Sequence, residues 1–114
     1  MGMVGAAMTI EAGEECRFFA SYSGVRLPLN LVGVIEADAL SNRNTFIRAF
    51  FDRARAGVLR GFDKIVYGEV ELAHRYDYHE GGVLSRAQIT MLDEEPVVLL
   101  FDHVGRQIPG EVDP

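Results

Sequence analysis

The stretch that decides the fold is Leu72-Ala73-His74-Arg75-Tyr76-Asp77-Tyr78-His79-Glu80-Gly81-Gly82-Val83-Leu84-Ser85-Arg86-Ala87-Gln88-Ile89-Thr90-Met91. Both arms alternate apolar or aromatic residues with polar ones, and a glycine pair separates them. Alternation at two residues is the period of a half-buried strand, and Gly-Gly supplies the positive φ of a tight hairpin turn. If Gly81 and Gly82 form a two-residue turn, Glu80 meets Val83, and the next partners on that face are Tyr78 with Ser85, Tyr76 with Ala87, His74 with Ile89 and Leu72 with Met91. That face is mostly apolar. The other pairs Asp77 with Arg86, Arg75 with Gln88 and Ala73 with Thr90, including one cross-strand pair of opposite charge. A three-residue turn would set Tyr76 and His74 against Arg86 and Gln88, a one-residue slip that mixes the faces and that a half-buried sheet resists.

The same unit recurs on either side. Phe50-Phe51-Asp52 leads to Gly57-Val58-Leu59-Arg60, and Leu100-Phe101-Asp102 leads to Gly105-Arg106-Gln107-Ile108. Sliding the unit by its repeat gives Ile47, Ala49 and Phe51, then Val97, Leu99 and Phe101, the places of His74, Tyr76 and Tyr78. Ahead of these units, Cys16 to Tyr22 reads as a first strand, Ser23-Gly24 as a turn, and Val25 to Val32 as a second strand with Val25, Leu27, Leu29 and Leu31 on one face. Pro28 lacks a ladder donor, which marks that second strand as an edge or as bulged. The polar segment Glu36 to Asn44 allows at most one short helical turn, near residues 36–41. The expectation is an all-β domain, an antiparallel meander of about eight strands able to curl into a half-barrel or barrel. It spans 16–108, with hairpin-like units near 45–66, 70–91 and 96–108 and tails at 1–15 and 109–114.

Composition bounds the rest. A chain of 114 residues that is 48% hydrophobic and 25% charged can bury one core without a staple, and its one cysteine, Cys16, forms no internal disulfide. The net charge of −6 opposes phosphate attraction, so nucleic acid is not an expected partner. Lys64 is the single lysine among eleven basic residues, a bias toward arginine that suits bidentate anion contacts or reflects coding alone. No apolar run approaches membrane length and no basic residue precedes Met8, so neither membrane nor export is expected and the chain reads as cytoplasmic.

No catalytic constellation emerges. His74 and His79 are five apart on one strand and point to opposite faces, so they do not chelate one metal together, and one cysteine with three histidines lacks the signature of structural zinc. Cys16 has no catalytic signature around it, and the glycine segments lie in hairpin turns rather than phosphate loops. No cofactor, metal or catalytic residue is expected, and an interaction protein is favoured over an enzyme. Its partner would be another protein, or a second copy paired through an edge strand. Two groups of residues are candidates. If Ile47, Ala49 and Phe51 face the core, Phe46, Arg48 and Phe50 face outward with Arg75, an aromatic and arginine patch of the kind enriched at protein contacts. The same pattern also fits a central strand covered on both faces. On the inner face, His74, Tyr76 and Tyr78 would line a pocket for a small ligand, or His74 would be a core histidine satisfied by a carbonyl or a tyrosine hydroxyl.

The strand end Tyr76-Asp77-Tyr78-His79, the turn glycines and Val83-Leu84 resemble the repeats of the YD (Rhs-type) and MORN-variant families over residues 45–108. The stretches from Phe18 to Val32, from Leu40 to Thr45 and from Val66 to Glu71 are similar to those of small uncharacterised bacterial domain families. The resemblance implies an antiparallel meander and an accessory role of the antitoxin or immunity type.

Overall fold

Alternation carries the chain through eight strands in the computed structural model, which describes residues 14–55 and 57–109. They are β1 (Glu14–Ser23), β2 (Asn30–Ile35), β3 (Thr45–Asp52), β4 (Leu59–Val66), β5 (Glu69–Tyr78), β6 (Leu84–Met91), β7 (Val97–Phe101) and β8 (Gln107–Ile108), with one 3-10 segment, Ala37–Asn42, between β2 and β3. All lie in one sheet of order β2-β1-β3-β4-β5-β6-β7-β8, and every pairing is antiparallel. From β3 onward the sheet is a meander. It stays open, with β2 and β8 as its edges, so the barrel is not formed. The expected tail at 1–15 lies mostly outside the described residues, and so does nearly all of the one at 109–114.

The β5–β6 hairpin keeps the expected partners from Leu72 with Met91 up to Asp77 with Arg86. Its turn corrects the two-residue reading. The Gly82 N–H bonds the His79 carbonyl at 2.9 Å and the His79 N–H bonds the Val83 carbonyl at 2.7 Å, so the loop has three residues, Glu80, Gly81 and Gly82. Gly82 takes φ +100°, the left-handed position that such a loop gives to glycine. The register then slips at Asp77/Tyr78, where Tyr78 meets Leu84 instead of Ser85. This bulge restores the alternation that a three-residue turn alone would have broken.

A second correction concerns the first hairpin. Residues 24–29 are not strand; β2 begins at Asn30. The connection instead lies over the inner face, where Leu27, Leu29 and Leu31 pack against a core of Phe19, Ile47, Ala49, Leu59, Phe62, Tyr76, Leu84 and Ala87. Its apolar residues are spaced like those of a strand because the segment is wedged between the sheet and water. Val25 does not join them and is 96% exposed.

The recurring acid at the strand ends caps the turns. One oxygen of Asp52 accepts the Ala54 and Arg55 N–H groups at 2.9 and 3.1 Å, and one oxygen of Asp102 accepts those of Val104 and Arg106 at 3.0 and 2.9 Å. These bonds hold both carboxyls below the ordinary aspartate pKa.

Gly61 lies directly opposite Arg75 of β5. A Cβ there would strike the His74 carbonyl oxygen and crowd the Arg75 side chain, which runs across the glycine. Gly61→Ala is therefore expected to lose about 1–3 kcal/mol of stability in urea denaturation, the usual cost of forcing an atom into a filled site. An unchanged midpoint would mean that the two strands part freely.

Candidate functional site

The outer face of β3 is the first place to look, because two aromatic residues and an arginine project from it. Phe50 is 3% and Arg48 4% exposed, and Phe46 is half-buried. The expected exposed patch is thus not a surface: β3 is central and covered on both faces. Phe18 of β1 meets Phe46 edge-on at 6.0 Å, and the Arg75 guanidinium lies 5.1 Å over the Phe50 ring.

Between them sits Asp63 of β4, 3% exposed. Register places it directly opposite Arg48. One carboxylate oxygen meets the Arg48 guanidinium at 3.1 Å and the other meets Arg75 at 2.9 Å. Arg75 also donates to the carbonyls of His74 and Phe62 at 2.8 and 3.2 Å. Of the four outer residues, only Arg75 keeps an exposed guanidinium, and its donors are committed to β4 and β5. The cluster ties three strands together. The sequence reading passed over Asp63, although a lone acid directly after Gly61 and Phe62 was the available signal.

The inner-face candidates are brought together by β5. His74 stacks on Phe62 with centroids 4.5 Å apart, and its Nδ1 lies 2.7 Å from the Tyr76 hydroxyl. Burial, aided by the Arg75 charge, pushes the His74 pKa down to about 4, so the ring is neutral at pH 7. Nδ1 then accepts the Tyr76 hydroxyl proton, and the hydroxyl oxygen accepts the Leu29 N–H at 3.4 Å. Tyr76 is 1% exposed and its own pKa is pushed up to about 12 by burial. Such a pair does not take up a proton near neutrality; it fastens the β1–β2 connection onto the sheet. Tyr78 does something similar for β4, donating to the Leu59 carbonyl at 2.6 Å. Tyr76→Phe would leave Nδ1 and the Leu29 N–H without this partner, and a loss of about 1–3 kcal/mol is expected on urea denaturation. No change would show that water substitutes for the hydroxyl.

Other candidates for chemistry are structural. Burial pushes the Cys16 thiol pKa up, the wrong direction for a nucleophile. His79 bonds the Phe101 carbonyl through Nε2 at 2.8 Å and stacks on His103 at 4.4 Å, joining two hairpin ends. Among the described residues there is no cluster of three or more His, Cys, Asp or Glu side chains able to hold a metal, and no helix long and apolar enough to cross a membrane.

Among the described residues the molecule presents outward the β2 edge and several grooves, two of them beside the β1–β2 connection. β2 ends the sheet, and its Val32 and Val34 are 43% and 72% exposed. No ionisable residue occurs from Leu27 to Ile35. Sheet edges are normally guarded by charge, proline or extreme shortness. Here Pro28 falls before the strand and the edge is bare. One groove, of about 410 Å³, lies between the β1–β2 connection and β6–β8, lined by Val25, Leu27, Val83, Leu84, Leu99 and Phe101, with Arg26 as its one cation. The other, of about 320 Å³, is bounded by Phe19, Leu29, Leu31, Phe51, Leu59 and Tyr78. Pro28 had signalled an edge strand; the exposed valines of that edge were not singled out.

A family model described as a family of unknown function (DUF6156) matches residues 11–110. No curated protein and no solved structure matches the chain.

Proposed function

The chain belongs to the family of unknown function DUF6156, and on that footing we propose that it is a non-enzymatic protein-interaction module binding through the free β2 edge. The observation that carries this reading is the bare edge itself, six residues long, with Val32 and Val34 exposed and no charge to repel an added strand. Strand addition draws affinity from main-chain hydrogen bonds and specificity from alternate side chains. The net charge of −6 favours a partner with basic surface, chiefly by speeding encounter. An accessory role of the immunity type is the finer reading, and it rests on the MORN-variant resemblance of residues 45–108. The test is affinity capture from the native cell with wild type and with Val34→Lys, which alters an exposed side chain. Loss of the captured protein with the lysine variant supports the edge; equal recovery removes it.

A second reading has its own observation. The 410 Å³ groove sets Arg26 and Gln107 among apolar side chains, a composition that suits a small ligand with an apolar body and a carboxylate. His74 and Tyr76 take no part in it, since both are buried in the core. Titration with decanoate would discriminate: saturable binding weakened by Arg26→Gln favours the ligand reading, and no binding ends it.

A further inference from the structure

The β2 edge is self-complementary. Leu31-Val32-Gly33-Val34-Ile35 reads nearly the same in both directions about Gly33, with leucine at one end and isoleucine at the other. A two-fold interface must present one surface to itself, so that residue i meets j and j meets i. We propose that β2 pairs antiparallel with β2 of a second copy, centred on Gly33, to give a continuous sixteen-stranded sheet across two eight-stranded ones. This inference rests on the reading of β2 as the binding edge and names its partner.

In that register Val32 faces the second copy's Val34 twice over, and Leu31 faces Ile35 twice over. The four valines, solvent-exposed in one copy, then cover one another as cross-strand neighbours. Gly33 falls on the two-fold axis. Its φ of +78° turns the strand locally, and its missing Cβ, which would collide with the Ala20 Cβ 2.9 Å away, lets β2 lie close against β1 there. Charge does not oppose the arrangement, because no ionisable residue lies within β2 itself. Asn30 meets Glu36, and no like charges are opposed, which matters for a chain with a net charge of −6. The other edge does not offer this symmetry, because β8 covers only Leu100 and Phe101 of β7 and leaves a step.

Sedimentation velocity over a concentration series tests the association, and cysteine trapping tests the register. The expected result is a concentration-dependent species of twice the 12.6 kDa chain mass, with the midpoint moved by about tenfold or more in Val34→Lys and in Val32→Lys. In a Cys16→Ala background, a mixture of Val32→Cys and Val34→Cys proteins should oxidise to a covalent pair far faster than either alone. Circular dichroism and urea denaturation of each variant establish that the fold is kept. A wild type that stays at monomer mass throughout, or a dimer that neither lysine variant weakens, overturns the proposal. A monomer whose capture of a different protein is still lost in Val34→Lys overturns self-pairing and leaves the interaction module standing.

Discussion

Asp63→Ala is expected to remove about 3–5 kcal/mol of folding stability, the usual cost of stripping one partner from a buried ion pair. The pair in question is Arg48 with Asp63, whose side chains are each 5% exposed. Truncation leaves the Arg48 guanidinium at the centre of the sheet without this carboxylate, where water reaches it poorly. Arg75 loses the same carboxylate, but it is 48% exposed and can turn to solvent, so its share of the loss is small. A domain of this size has about 5–15 kcal/mol to lose, so the variant should stand near the limit of folding. Urea denaturation reads the effect directly. The double variant Arg48→Met with Asp63→Leu should recover most of it, since an apolar pair of similar volume needs no compensating charge. If Asp63→Ala shifts the midpoint by no more than a surface substitution would, Arg48 is not held by this pair.

Acidification is the second large effect. The unfolded chain protonates His74 near its ordinary value of 6.5, whereas the native chain excludes that proton until about pH 4. Between those values the unfolded state binds more protons, so stability falls as the pH falls. The contribution is complete above 6.5 and is lost as the pH passes down to about 4, amounting to about 3 kcal/mol over the interval. Urea denaturation at a series of pH values from 7.5 downward measures it. His74→Gln keeps a hydrogen-bonding side chain but has nothing to titrate, so its stability should stay flatter over the same window. Identical slopes in the two proteins would place the acid sensitivity elsewhere. Asp52 and Asp102 act separately, at and below the ordinary aspartate pKa of 3.8, because turn N–H groups stabilise their charged forms.

These two sites differ in how openly the sequence shows them. His74 and Tyr76 were legible because strand alternation puts every second side chain on one face, and their partners Ile89 and Ala87 follow from that count alone. The turn that joins those strands was not legible. Its third residue and the bulge at Ser85 cancel each other, so the pattern beyond the bulge looks as if neither existed. Residues 24–29 misled for a different reason: a connection pressed onto a core needs apolar residues as a strand does, and Leu27 and Leu29 satisfy either role. The outer face of β3 was ambiguous in principle, since Phe46, Arg48 and Phe50 fit an interaction patch or a doubly covered strand. Only the position of Asp63 across from Arg48 decides it, and cross-strand register is a tertiary fact. Asp63 itself went unremarked because a single acid in a strand usually faces water.

The strand order carries a consequence for how the chain reaches this state. Every pairing from β3 to β8 joins neighbours in sequence through a short turn, but β1 must reach past β2 and the 3-10 segment to set Glu14 against Asp52 and Phe19 against Ile47. That is the most distant strand pairing in the sheet and the one with the largest loop to close. The meander is therefore expected to condense first and the β1–β2 hairpin to dock last, sealing the inner face as the Leu29 N–H finds the Tyr76 hydroxyl. Substitutions at Phe19 or Leu31 should then hasten unfolding while leaving the refolding rate nearly unchanged, which stopped-flow kinetics can read.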